Sequence, residues 1–273
     1  MNDIFLKCID GVEGLSLLPD KSIKLLYGSP PYPNAVKSYG VWEEENYIEK
    51  ITPFLDVAKR KLTDNGFIVI NIKANRKPGN NYACSERSLV VEKLAIAMRE
   101  RWELHCVDIE IWVKTNSVPT GLRVACQDVY EQMLWFSIAP KWKLNIDDIR
   151  TPYKSRTLER YSKSMYKPCK NGNTYFRKEK RIRPNPLGAL PKNVIEGGVS
   201  ALSTKHQAVQ PIYLSEKYIK ACTNKGDLVV DPWLGTGTTG VSALKLQRKF
   251  AGFDLENSYI EIAQERISVY GKI

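Results

Sequence analysis

Residues 226–240 read Gly226-Asp-Leu-Val-Val-Asp231-Pro232-Trp233-Leu234-Gly235-Thr236-Gly237-Thr238-Thr239-Gly240. A short apolar run ends in an acid, and a G-x-G-x-x-G turn then leads into a stretch whose Val241 and Leu244 mark a helix. Strand, glycine turn and helix in that order are the repeating unit of an α/β fold. Glycines at such a turn allow tight reversal and close approach of the backbone to a ligand. The next expected strand, Phe250–Phe253, delivers Asp254, placed where an acid can accept the hydroxyls of a ribose. No Gly-Lys-[Ser/Thr] follows the turn, so it is not a P-loop.

Working outward, the α/β pattern continues on both sides. A helix is expected near Leu214–Cys222, and a last helix carries Tyr259, Ile260, Ile262, Ala263 and Ile267 on its apolar face. In the first half, Phe5–Ile9 and Leu25–Tyr27 read as short strands, and Gly66–Ile72 reads as a strand covered on both faces. Ile48, Ile51, Leu55, Ala58 and Leu62 step by three and four, as on one face of a helix. A second helix is expected from about Ser88 to Trp102, with Leu89, Leu94, Ala97 and Met98 inward. Val107–Val113 and Tyr130–Ile138 read as neighbouring edge strands.

Residues 141–195 differ in kind. Fifteen Lys and Arg stand there against four acids, a surplus equal to the net charge of +11 of the whole 273-residue chain. Trp142, Tyr153, Tyr161, Tyr166, Tyr175 and Phe176 are interleaved with those cations, and Pro, Asn and Gly interrupt any periodicity. So concentrated a block reads as a loop-rich insert whose surface meets phosphates. Lys154, Arg156, Arg160, Arg177, Lys178, Arg181 and Arg183 are the candidate contacts, and any of the arginines could instead read guanine edges. The domain reading is therefore 1–140 and 196–273 as two halves of one α/β domain, with 141–195 inserted between them.

Composition narrows the classes further. Hydrophobic residues make up 43% and charged residues 26%, ordinary for a soluble globular protein, and no run reaches the roughly 20 apolar residues of a membrane span. Met-Asn-Asp-Ile-Phe lacks a secretory pattern, which implies a cytoplasmic protein. Cys8, Cys84, Cys106, Cys126, Cys169 and Cys222 form no Cys-x-x-Cys pair. With only His105 and His206 beside them, no metal site is expected.

A second motif, Ser29-Pro30-Pro31-Tyr32, directly follows the apolar run Ile23–Gly28. An exocyclic amino nitrogen on cytosine or adenine is a poor nucleophile because its lone pair is delocalised into the ring. Two acceptors for its hydrogens, here Ser29 Oγ and the Pro30 carbonyl, draw the nitrogen towards tetrahedral geometry and free the lone pair. The prolines stiffen the turn and withhold competing N–H donors, and Tyr32 offers a face on which an extruded base can stack. The glycine turn alone fits either a nicotinamide dinucleotide or S-adenosyl-L-methionine. Asp231-Pro232 leans towards the latter, since an acid beside the turn would repel a pyrophosphate. Together the two motifs point to methyl transfer onto a base amino nitrogen.

The chain resembles the bacterial amino-methyltransferases of DNA, the N4-cytosine and N6-adenine family. The resemblance runs through Cys8-Ile-Asp10-Gly11, Leu18–Ile23, Ser29–Tyr32, Trp112-Val-Lys114, Tyr130-Glu131 and Lys205-His206-Gln-Ala208 with Pro211. It continues over Gly226–Pro232, the glycine turn, Gly252-Phe253-Asp254, and Tyr259 with Arg266. Having the catalytic turn before the cofactor turn resembles the circularly permuted beta class, in which the segment between the halves is the target-recognition region. The resemblance implies a Rossmann-like α/β methyltransferase fold with a mixed seven-stranded sheet, the strand before Asp10 lying beside that ending at Asp254. It implies a cofactor site where Asp10 meets the adenine of S-adenosyl-L-methionine and Asp254 the ribose. Lys205, His206 and Pro211 would border the methionine end, and Asp231, Pro232, Trp233, Gly235, Thr236, Gly237 and Thr238 would complete the site. Gly28 stands where Thr is commoner, Trp233 replaces the usual Phe, and Thr236 a Ser or Ala; none removes a group the chemistry needs.

Ser at position 29, rather than Asp or Asn, marks N4-cytosine enzymes in the family, although adenine enzymes have carried it too. The expectation is thus a DNA N4-cytosine methyltransferase acting on a flipped-out base of double-stranded DNA, without metal. Its context would be a restriction–modification pair with a cognate endonuclease, in a nucleoid-associated, cytoplasmic setting. An N6-adenine enzyme of the same family is the alternative. Pro168-Cys169 resembles the nucleophile of C5-cytosine enzymes but lies inside the insert without a Glu-Asn-Val partner. A nicotinamide oxidoreductase would leave Ser29–Tyr32 and the insert without roles. A non-catalytic DNA-binding protein would explain the insert alone, and amide or RNA methylation would need similar activation of nitrogen.

Overall fold

The computed structural model describes residues 3–37, 40–76, 86–117, 125–162, 184–199 and 209–270. Two compact units divide it: Met1–Leu144 with Asn193–Ile273, and Asn145–Lys192. The larger unit is built on β1 (Ile4–Cys8), α1 (Gly11–Ser16), β2 (Ile23–Gly28), the two-residue strands β3 (Val36–Lys37) and β4 (Gly40–Val41), α2 (Tyr47–Lys61), β5 (Leu62–Ile72) and α3 (Val90–Glu100). It continues with β6 (His105–Lys114) and β7 (Tyr130–Ser137). The smaller unit carries α4 (Ser155–Ser162). The larger resumes with β8 (Val194–Gly197), α5 (Ile212–Cys222), β9 (Leu228–Asp231), α6 (Thr238–Lys245), β10 (Lys249–Asp254) and α7 (Asn257–Ser268).

Eight strands form one mixed sheet in the order β1-β10-β9-β2-β5-β7-β6-β8. All neighbours run parallel except β7, which is antiparallel to both β5 and β6. The expected adjacency of the first and last strands is present, with Cys8 opposite Asp254. Two expectations need correction. The sheet has an eighth strand beyond the seven expected: Val194–Gly197, which begins in the last two residues of the stretch assigned to the insert by composition, pairs with Ile111–Lys114. Neither expected edge strand is an edge: β8 covers β6, and β7 lies between β5 and β6.

Side-chain alternation explains why the central strands read as continuous apolar runs. Ile68, Ile70 and Ile72 of β5 and Leu134 and Phe136 of β7 join Leu15, Leu55, Leu94 and Met98 of α1, α2 and α3 in one core. On the other side Tyr27 of β2 and Trp135 of β7 pack against Tyr218 of α5, with ring centroids 5.7 and 5.2 Å apart. A strand covered by helices on both faces has no polar side to show. Leu89, expected inward, is instead 57% exposed, because α3 begins one residue later and buries Val90 and Val91.

Within the smaller unit, Thr151 pairs with Ala189 across an isolated bridge, and the Arg150 guanidinium donates to Asp147 (2.6 Å) and the Gly188 carbonyl (2.9 Å). Tyr153 stacks edge-on against Tyr161 and its hydroxyl accepts from the Asn185 N–H, so these aromatics hold the unit together. Lys154, Arg156 and Arg160 are exposed on or beside α4. Arg177, Lys178, Arg181 and Arg183 lie outside the described residues.

Candidate active site

The carboxyl ends of β1, β2, β5, β9 and β10 open onto one cavity of about 450 Å³, the edge of a parallel sheet where ligands bind in α/β folds. Ser29, Pro30, Pro31 and Tyr32 line it on one side, and Asp231, Pro232, Trp233, Gly235, Thr236, Thr238 and Asp254 on the other. Adjacent pairing of β2 with β9 is what brings the two motifs together from opposite halves of the sequence.

The Ser-Pro-Pro-Tyr turn is fixed from outside. The buried Tyr47 hydroxyl of α2 donates to the Pro31 carbonyl at 2.9 Å, and Asn75 Nδ2 to the Pro33 carbonyl at 3.1 Å. Ser29 Oγ lies 3.1 Å from the Asn71 carbonyl and 3.2 Å from the Tyr32 hydroxyl. That hydroxyl is 2.7 Å from Glu131 Oε2 and 3.2 Å from Asn71 Oδ1, which also accepts from Gln210 Nε2 at 3.0 Å. Lys114 pairs with the other oxygen of Glu131. Burial, and then the Glu131 charge, push the Tyr32 phenol well above its usual range, so it keeps its proton. Gly28 before the turn can carry no side chain: a Cβ there would stand 2.6 Å from Asp231 Oδ1 and 2.9 Å from the Trp233 ring.

On the opposite wall the glycines act differently. Gly237 starts α6 at φ 77°, and a Cβ there would meet Ala263 at 2.7 Å; Gly240 packs the helix so closely that a Cβ would meet Ile267 at 2.4 Å. Arg266 of α7 reaches back and donates to the carbonyl and Oγ1 of Thr236 and to Thr238 Oγ1, clamping the turn. Asp254 accepts the Gly235 N–H (2.8 Å) and the Glu256 N–H (3.0 Å), one on each oxygen. Asp231, only 4% exposed, accepts from Thr239 Oγ1 (2.6 Å) and the Trp233 N–H (3.0 Å). Burial dominates over these two bonds and raises its carboxyl to about 7. Asp10 lines the cavity while its Oδ1 caps α1 through the Val12 N–H at 2.8 Å.

Of the expected cofactor residues, Gly237 shapes the turn from behind without lining the cavity. Pro211 does not line it either: it is the buried residue before α5, and Val209 and Gln210 take the wall instead. Lys205 and His206 lie outside the described residues. Asn71 and Gln210 escape a reading of the sequence, which singles out Lys114 and Glu131 without giving them a role. The available signals are a lone Asn near the end of the apolar β5 and a Lys and a Glu at strand ends, unexplained by packing. Among the described residues no cluster of three His, Cys, Asp or Glu could hold a metal ion, and no helix is long and apolar enough to cross a membrane.

Comparison with known proteins places these features in context. A family profile described as DNA methylase (N6_N4_Mtase) matches residues 23–265. The Type II methyltransferase M.PvuII of Proteus hauseri is 25% identical over 97% of this chain and 87% of its own length. The solved structure of PvuII DNA methyltransferase, cytosine-N4-specific, superposes with a TM-score of 0.73 at 20% identity, over 97% of this chain and 88% of the other. TTHA0409 of Thermus thermophilus, solved with S-adenosyl-L-methionine, gives 0.67 at 18% identity over 98% and 94% of the two chains.

Proposed function

Since the chain belongs to the N6/N4 DNA methylase family, we propose that it transfers a methyl group from S-adenosyl-L-methionine to the N4 amino group of cytosine within a specific sequence of double-stranded DNA. The observation that carries this reading is the meeting of Ser29–Tyr32 with the glycine turn and its two acids around one cavity. The serine at position 29 and the likeness to a cytosine-N4-specific enzyme support cytosine as the base.

The cavity residues fit the cofactor. At Gly235, φ 50°, a side chain would find open space, its nearest neighbour 4.0 Å away, so a ligand can lie against the backbone. Each Asp254 oxygen holds one N–H and retains a lone pair for a ribose hydroxyl. Asp10 lines the same cavity and would meet the adenine, and the buried Asp231 would offer negative charge to the cationic methionine end. When bound, S-adenosyl-L-methionine supplies an electrophilic methyl group on a sulfonium.

This chain's residues then act on the base. Ser29 Oγ and the Pro30 carbonyl accept hydrogen bonds from the two amino hydrogens and free the nitrogen lone pair for in-line attack, and the methylated nitrogen then sheds one proton to solvent, with no covalent intermediate on the protein. Tyr32 stacks on the flipped base. Flipping costs a few kcal/mol, which phosphate contacts from Lys154, Arg156 and Arg160 and their neighbours in the insert offset. Such an enzyme would protect DNA against a cognate endonuclease.

The test is incubation of PCR-amplified bacterial DNA with protein and cofactor, followed by digestion to nucleosides and mass spectrometry. N4-methylcytosine is expected; N6-methyladenine would replace the base assignment, and no modified base would overturn the reading. Ser29→Ala should slow transfer with cofactor affinity intact, and loss of that affinity would remove Ser29 from the chemistry.

A further inference from the structure

Tyr32 has one hydroxyl hydrogen and three oxygens around it: Glu131 Oε2 at 2.7 Å, and Asn71 Oδ1 and Ser29 Oγ at 3.2 Å. A charged, shorter acceptor wins that hydrogen. Lys114 pairs with the other Glu131 oxygen, so both carboxylate oxygens are engaged in a place only 4% exposed. With the Tyr32 hydrogen committed to Glu131, the Tyr32 oxygen can only accept. The Ser29 hydrogen then points inward, to Tyr32 or to the Asn71 carbonyl at 3.1 Å. The Ser29 lone pairs are left for the cavity.

We propose that Glu131 is a positioning residue of the methyl-transfer site: by holding the Tyr32 hydroxyl hydrogen, it keeps Ser29 Oγ an acceptor for the amino group of the target base. The inference rests on the function proposed above. It assigns the Lys114–Glu131 pair a task separate from stabilising the sheet, and it makes an unusual genetic claim. Removing the carboxylate is harmful only while Tyr32 has a hydrogen to misdirect.

In Glu131→Gln, the Lys114 ammonium fixes the amide oxygen, so the NH₂ faces Tyr32 and donates to it. The Tyr32 hydrogen must turn to Ser29 or Asn71, and the first choice occupies a lone pair the base needs. Tyr32→Phe keeps the ring and removes the hydrogen.

The experiment is single-turnover transfer from labelled S-adenosyl-L-methionine to PCR-amplified DNA, with enzyme in excess, for the wild type, both single variants and the double variant. Cofactor dissociation constants are measured in parallel. Glu131→Gln should be slower by about tenfold, the worth of one hydrogen bond, with unchanged cofactor affinity. Tyr32→Phe sets its own baseline, since Tyr32 also carries the base, and adding Glu131→Gln to it should cost less than twofold further. A Glu131→Gln rate within twofold of wild type, or a double variant about tenfold slower than Tyr32→Phe, overturns the proposal. Should Glu131→Gln not fold, Glu131→Leu combined with Lys114→Met serves: both charges leave together, the Tyr32 hydrogen again loses its acceptor and turns to Ser29 or Asn71, and the Tyr32→Phe background should relieve the loss. Absence of that relief refutes the proposal equally. A wild-type protein that methylates no DNA retires the underlying function instead, which the wild-type arm of the same experiment reports.

Discussion

Replacing Asp231 by asparagine probes the charge proposed to favour cofactor binding. Burial raises this carboxyl from 3.8 to about 7, with a smaller push from Asp254, against the pull of Thr239 and the Trp233 N–H. A ligand bringing ammonium and sulfonium charge favours the carboxylate, so binding expels the proton. If the bound carboxyl returns to the ordinary range, the apparent dissociation constant scales as one plus the ratio of protonated to ionised Asp231. Affinity should then rise about 15-fold between about pH 5.5 and pH 7, with about half a proton released per cofactor at the upper end. The ligand's own amino group, ordinarily near 8, stays charged over this window.

The amide introduced by Asp231→Asn would preserve the local bonds, its oxygen taking the Trp233 N–H and its NH₂ reaching Thr239. Burial raises Asp254 as well, so the difference between wild type and variant isolates Asp231. Titration calorimetry in two buffers of unlike ionisation enthalpy reads affinity and proton release together. A wild-type affinity flat across the window, or the same slope in Asp231→Asn, would refute the reasoning. Stability should change in the opposite sense. An acid whose folded value lies above its unfolded one costs the fold stability as pH rises from about 4 to about 7, up to a ceiling of about 4 kcal/mol. Asp231→Asn should therefore melt above the wild type at about pH 8 and level with it near pH 4.

Asp254→Asn should weaken cofactor binding by about tenfold or more, because an amide cannot match both the N–H bonds and the ribose hydroxyls; an unchanged dissociation constant by calorimetry would remove Asp254 from the site. Gly240→Ala forces a methyl against Ile267 and Phe250 and should destabilise the protein by about 1–3 kcal/mol in denaturant titration, whereas an unshifted midpoint would mean that α6 yields freely. Changing Lys154, Arg156 and Arg160 together to Gln should flatten the dependence of log affinity for DNA on log salt by about 0.9 for each phosphate no longer neutralised. An unaltered slope would place the backbone contacts elsewhere.

What is legible in the sequence is what is chemically local. The glycine turn and Ser29–Tyr32 each need particular residue types at consecutive positions, so each announces itself, as do Asp231 and Asp254 at strand ends. Asn71, Lys114, Glu131 and Gln210 come from separate segments and meet only because β5, β7 and β6 pair in one register, opposing Asn71 to Met133 and Trp112 to Glu131. No spacing rule connects them. Strand β8 is hidden for a related reason: its four residues sit half-exposed beside a basic stretch and become a strand only through β6. Leu89 misleads because a periodic pattern does not say on which residue a helix begins, and Ser88 Oγ accepts the Val90 N–H at 3.1 Å, just past Leu89.

The pairing of β2 with β9, Ile23 opposite Leu228, also has a temporal side. About 200 residues separate these partners, so at about 5–20 residues per second a ribosome needs about 10–40 s to supply the second after the first. Throughout that interval one side of β2 is an unpaired strand edge, and such edges invite pairing with other chains. The residues after β2 can fold onto β5 meanwhile, but the cavity wall formed by the glycine turn arrives last. Completion of the cavity and the closing of this side of β2 are thus parts of the same late stage of synthesis.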